Sequence, residues 1–169
     1  MITKRREYGP VNAKQRGFSL IELLIVVAII LVIAAIAIPN FLRAKISANE
    51  SSAVSSVHAV QTAEITYATT FTTVGFSAAL ADLGDGGTKP CPGTINASCI
   101  VDAALASGKK SGYNFTYAQD ASTTPSLGYT ISASPQMPDI TGQRGFFGDQ
   151  TNIIRADPSG TATASSTPL

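Results

Sequence analysis

The sequence predicts an α+β protein in which one long N-terminal α-helix, membrane-spanning over its first half, packs on a small antiparallel sheet of three or four strands. Three patterns carry that expectation. Apolar residues run almost unbroken from Phe18 to Ile38. Valines and aromatics then recur at helical spacing between Phe41 and Phe71. Beyond residue 112 the chain alternates apolar and polar residues in short runs separated by turn formers.

The apolar run is 21 residues long. At a rise of ~1.5 Å per residue it crosses a hydrocarbon core of ~30 Å. It is longer than the apolar core of an ordinary secretory signal, no Ala-x-Ala site follows it, and no lipid-accepting cysteine precedes it. Lys4, Arg5, Arg6, Lys14 and Arg16 precede the run against the single acidic residue Glu7. That bias places the N-terminus in the cytoplasm and everything beyond about residue 40 outside. The whole chain carries a net charge of +1. Because so many of its basic residues are in the first 17, the remainder is net acidic. The pair Lys109-Lys110 is too small a basic patch to argue for nucleic acid.

One carboxylate interrupts the apolar run, at Glu22. A charge at the centre of a membrane helix costs roughly 2.5–3.5 kcal/mol, and less near the end, where Glu22 stands. Inside a bundle of such helices an unpaired carboxylate would be strongly penalised, so Glu22 calls for a cationic partner.

The string Arg16-Gly17-Phe18-Ser19-Leu20-Ile21-Glu22, the aliphatic run from Leu23, and the close Ala37-Ile38-Pro39-Asn40-Phe41 resemble the class III signal peptide of type IV pilins and type II secretion pseudopilins. The resemblance covers residues 16–41. It implies that a prepilin peptidase removes the leader Met1–Gly17 by cutting between Gly17 and Phe18, and that the new Phe18 amine is N-methylated. It implies that Glu22 pairs with the Phe18 amine of a neighbouring copy during filament assembly. The partners it implies are further copies of the chain in a helical homopolymer, the peptidase, an inner-membrane assembly platform with its ATPase, and the membrane before assembly. The implied function is a major-type pilin of a surface fibre serving adhesion, motility or DNA uptake, reached from an inner-membrane precursor. The alternative is a major pseudopilin of a periplasmic type II secretion pseudopilus. A membrane-tethered binding module is a third reading.

The rest of the chain completes the expected organisation: a transmembrane and assembly helix over 18–40, its amphipathic continuation over 41–71, and a globular head over 72–169. Pro39 lacks an amide hydrogen and predicts a helix break in the sense of a weakened or kinked helix: either residues 31–39 give up helicity in a fibre, as the pilin resemblance implies, or the helix simply bends. Val54, Val57, Val60, Tyr67 and Phe71 form the stripe that faces the sheet, with Ser, Thr, Asn, Gln and Glu on the opposite face. A long connecting loop follows, with helical turns at Ser77–Leu83, ended by Gly84-Asp85-Gly86-Gly87, and at Ile100–Ala106. Strands are expected at Tyr113–Tyr117, Tyr129–Ala133, Arg144–Gly148 and Asn152–Ala156, with a polar tail that adds at most a short edge strand before fraying.

Cys91 and Cys99 lie close together between turn formers. On the extracytoplasmic side they pair as a disulfide; otherwise they remain two small apolar residues. The residues offer no nucleophile–base set, no phosphate loop and no metal cluster, so neither catalysis, a cofactor nor a metal is expected. His58 is the only histidine. Asp82 and Asp85 only faintly match a calcium loop, and Asp139, Asp149 and Asp157 lack tight ligand spacing.

Overall fold

The computed structural model describes residues 18–87 and 90–169. The chain divides into two compact units, Met1–Pro39 and Asn40–Leu169. One helix, α1 (Leu20–Thr70), contributes residues to both.

In the first unit α1 is apolar on every side and buries nothing. Its large side chains are exposed throughout, from 44 % at Val27 to 78 % at Phe18, which stands just ahead of the helix. α1 runs through Pro39 without interruption. Proline deletes the bond its N–H would make to the carbonyl four residues back, and its ring crowds that carbonyl. The surrounding Ala34, Ala35 and Ala37 are strong helix formers, and α1 continues on both sides of the gap.

In the second unit α1 packs one face on a six-stranded sheet. The strands are β1 (Lys109–Lys110), β2 (Tyr113–Asp120), β3 (Gly128–Pro135), β4 (Gly145–Asp149), β5 (Arg155–Asp157) and β6 (Thr167–Pro168). Each pairs antiparallel with the next, so the order β1-β2-β3-β4-β5-β6 is a simple meander. The predicted three or four strands correspond to β2–β5. The two added edges are two residues long, too short to show an alternation pattern. β5 begins at Arg155, not Asn152, because Asn152 has φ +63° and belongs to the turn. The tail is also corrected: β6 pairs with β5, and the Leu169 amide donates to the Ile154 carbonyl at 2.9 Å, so the last residues are held.

The inner row of the sheet follows from its register. Phe115 stands opposite Ala133, which stands opposite Phe146, and all three are buried. Tyr113, Ile131 and Tyr129 complete the row against Ala53, Val57, Val60 and Tyr67 of α1. Each fully buried large apolar side chain contributes roughly 1.5–3 kcal/mol. α1 approaches β4 closely: a Cβ at Gly148 would lie 2.8 Å from Gln61 Nε2 and 2.9 Å from Val57 Cγ1.

The loop between α1 and β1 contains a 3-10 turn at Leu80–Leu83 and a short helix α2 (Ala103–Ala106). Both fall within the segments the sequence predicted. Asp102 caps α2 by accepting the Leu105 amide at 3.0 Å.

Candidate functional site

The chemistry of the first unit is concentrated in its first turn. The Ser19 carbonyl accepts the amides of Glu22 at 3.1 Å and Leu23 at 3.2 Å, which starts α1. Ser19 and Glu22 stand at the S-x-x-E spacing of a capping box, a signal the sequence reading passed over. Glu22 is the acidic residue of the first turn, where the helix dipole favours a negative charge. It is exposed, four residues from the exposed Phe18. Gly17 and the leader lie outside the described residues. Ala28, with Ile29, Val32 and Ile33, lines a shallow apolar groove of about 260 Å³. What this unit presents is therefore an unpartnered apolar rod with a carboxylate at its start. Such a surface requires lipid or other apolar helices around it.

The second unit buries polar residues that the sequence placed on the outer face of α1. Glu50, Gln61 and Glu64 are all buried. Glu50 Oε1 accepts the amides of Gln143 at 3.0 Å and Arg144 at 3.1 Å, and its Oε2 accepts Arg144 Nε at 2.8 Å. Burial works against the Glu50 anion, but these bonds outweigh it and hold its pKa below the ordinary carboxyl value. Asn49 Nδ2 donates to the Thr141 carbonyl at 2.8 Å beside it. Tyr113, whose hydroxyl donates to the Arg144 carbonyl at 2.8 Å, is pushed up to about 12, chiefly by burial. These contacts fix the β3–β4 loop to α1. Their partners lie more than 90 residues away in sequence for Glu50 and Asn49, so no local pattern announces them.

Cys91 and Cys99 are joined as a disulfide, with Cα atoms 6.3 Å apart. The loop they close turns back at Thr94 and Ala97 and is anchored to α1 by Tyr67, whose hydroxyl donates to the Ile95 carbonyl at 2.7 Å. The aspartates weighed as ligands serve their own turns instead. Asp82 accepts the Ala79 amide, Asp85 the Gly87 amide, Asp149 the Thr151 amide and Asp157 the Ser159 amide. Asp139 accepts Gln143 Nε2. Among the described residues no three His, Cys, Asp or Glu gather as a metal site. His58 is exposed on α1.

The family-model match falls on the first unit. A family described as "Prokaryotic N-terminal methylation motif" matches residues 12–38. The "Type IV major pilin protein PilA" of Myxococcus xanthus (strain DK1622) is 51 % identical over 53 residues, 31 % of this chain. The chain spans 24 % of that relative's length. No solved structure matches the chain. The residues the family model matches include those that build the exposed rod and its lone carboxylate, and over this N-terminal segment the chain is similar to proteins that carry the methylation motif.

Proposed function

We propose that this chain is a major-type pilin, the structural subunit of a type IV pilus. The observation that carries the reading is the pairing of an apolar helix exposed on all sides with one carboxylate, Glu22, one helical turn from Phe18. Lipid satisfies the apolar surface of the precursor, which spans the inner membrane once with its N-terminus in the cytoplasm. A prepilin peptidase removes residues 1–17 and frees the Phe18 amine, which is then N-methylated and keeps its positive charge. An assembly platform and its ATPase transfer the subunit into the fibre, where neighbouring rods replace lipid.

Lipid tails and protein side chains are similarly apolar, so that transfer gains little from hydrophobicity alone. Register must come from packing and from charge. Glu22 and Phe18 are four residues apart, or ~6 Å along the helix. A neighbour displaced by about that amount brings its α-amino group beside Glu22. Such a pair selects one stagger, and its value is specificity more than net stabilisation. Pro39 and the residues before it, 31–39, supply a stretch whose helicity can be given up when the fibre extends.

Replacing Glu22 by Ala tests the pairing. The variant is expected to insert in the membrane at the normal level while the yield of sheared surface fibres collapses. Normal fibre yield from Glu22→Ala cells would refute the role given to Glu22. Recovery of the chain only in a periplasmic pool required for protein secretion would assign it to a type II secretion pseudopilus instead.

A further inference from the structure

A second buried carboxylate, Glu64, is tied to the loop after α1 rather than to an assembly partner. Glu64 and Ser77 are both 0 % exposed. The Ser77 amide donates to Glu64 Oε2 at 3.0 Å. Ser77 Oγ lies 2.5 Å from Glu64 Oε1, 3.2 Å from the Ala79 carbonyl and 3.2 Å from Tyr117 Oη. The Tyr117 hydroxyl donates to the Ser77 carbonyl at 3.0 Å. We propose that Glu64 is a proton-operated clasp: as a neutral acid it holds residues 74–79 against α1, and on losing its proton it releases them.

The hydrogen-bond accounting gives the sign. In the neutral form Glu64 Oε1–H donates to Ser77 Oγ, and the Ser77 hydroxyl passes its own proton on to the Ala79 carbonyl. Glu64 Oε2 still accepts the Ser77 amide, and Tyr117 still serves the Ser77 carbonyl. Every polar group in this Glu64–Ser77–Ala79 relay is satisfied. In the ionised form the Ser77 hydroxyl must turn back to Glu64, which strips the Ala79 carbonyl of that donor. The proton passes to solvent and leaves a charge in the interior. The titratable groups that face this charge are Tyr67 from α1, Asp82 from the 3-10 turn, Tyr117 from β2 and Tyr129 from β3. None is a cation, and Asp82 adds a second negative charge. Burial accordingly raises the Glu64 pKa, with Ser77 opposing and Asp82 reinforcing the rise.

The released segment is well defined. The Phe76 amide donates to the Ser126 carbonyl at 3.2 Å, the Ser126 amide donates to the Val74 carbonyl at 2.9 Å, and Gln119 Nε2 donates to the Phe76 carbonyl at 2.6 Å. Gly75, at φ +80°, passes so close to Ser126 that any Cβ would strike its backbone. Opening the clasp therefore also loosens the β2–β3 turn that carries Ser126.

Hydrogen exchange and carboxyl carbon NMR on the full chain in detergent micelles test this. Above the ordinary carboxyl value and up to the raised pKa of Glu64, the closed form is expected to lose about tenfold in population per pH unit. Protection factors at Gly75, Phe76 and Ser77 should fall across that range and level off once the Glu64 carboxyl has titrated. Glu64→Gln mimics the neutral acid, since its amide nitrogen can donate to Ser77 Oγ and its oxygen can accept the Ser77 amide. That variant should hold protection constant across the same pH range. Titration of Glu64 at or below the ordinary carboxyl value, or protection at 75–77 that ignores the titration, would overturn the proposal. So would a pH-dependent loss that persists in Glu64→Gln.

Discussion

The Glu50 clasp on the β3–β4 loop gives the most quantitative prediction. Glu50→Ala leaves the amides of Gln143 and Arg144 without their acceptor. Each unsatisfied amide costs about 1–3 kcal/mol. Water reaches the site beside Arg144, whose side chain is 46 % exposed, so values near the low end apply. The lost guanidinium contact adds about 0.5 kcal/mol after solvent screening. The total is about 2.5 kcal/mol. Glu50→Gln keeps one carbonyl oxygen for the two amides but makes those bonds neutral and turns a donor toward Arg144 Nε, for a cost of about 1–1.5 kcal/mol. Urea denaturation of the detergent-solubilised chain measures both, followed by near-ultraviolet circular dichroism of its five tyrosines. The pH dependence follows from the lowered folded-state pKa. Glu50 contributes stability above the ordinary value of 4.5, and that contribution disappears as pH falls through the lowered value. Wild type and Glu50→Gln should therefore converge in acid. A Glu50→Ala cost below about 1 kcal/mol, or a Glu50→Gln cost equal to it, would refute the reasoning.

Two further substitutions probe packing and the cross-link. Gly142 faces Tyr113 so closely that a Cβ there would meet its Oη and ring, so Gly142→Ala should cost about 3 kcal/mol, near the top of overpacking costs. Tyr113→Phe alone should cost about 1 kcal/mol through its lost bond to Arg144, and less than that in the Gly142→Ala background, where losing Oη relieves the nearest part of the clash while the ring contact stays. Additive effects in that double-mutant cycle would contradict the contact. Replacing Cys91 and Cys99 by Ser opens a loop of sequence separation 8, for which the chain-entropy cost is about 2.5 kcal/mol. A midpoint unchanged by the double substitution, or by a reducing agent, would show that the bond does not constrain the head.

The parts of this protein that were legible in its sequence are those whose cause is local. Phe18–Ile38 declares itself by length and composition, and Glu22 by its isolation within it. β2 and β3 show strict alternation because each has one face on the core and one in solvent. What could not be read is set by distant neighbours. Glu50, Gln61 and Glu64 look like solvent-facing residues until residues 143, 149 and 77, respectively, are brought to them by the fold. β1 and β6 exist only because β2 and β5 offer edges for them to pair with.

The central claim is that the apolar rod is retained after processing and begins with a free, modified amine four residues before Glu22. Intact-mass and N-terminal peptide mass spectrometry of fibres sheared from the cell surface tests it most directly. The account predicts a chain that starts at Phe18 and carries one extra methyl group on its α-amine. A surface form that still begins at Met1, or one that begins beyond Ile38 with the rod removed, would contradict it.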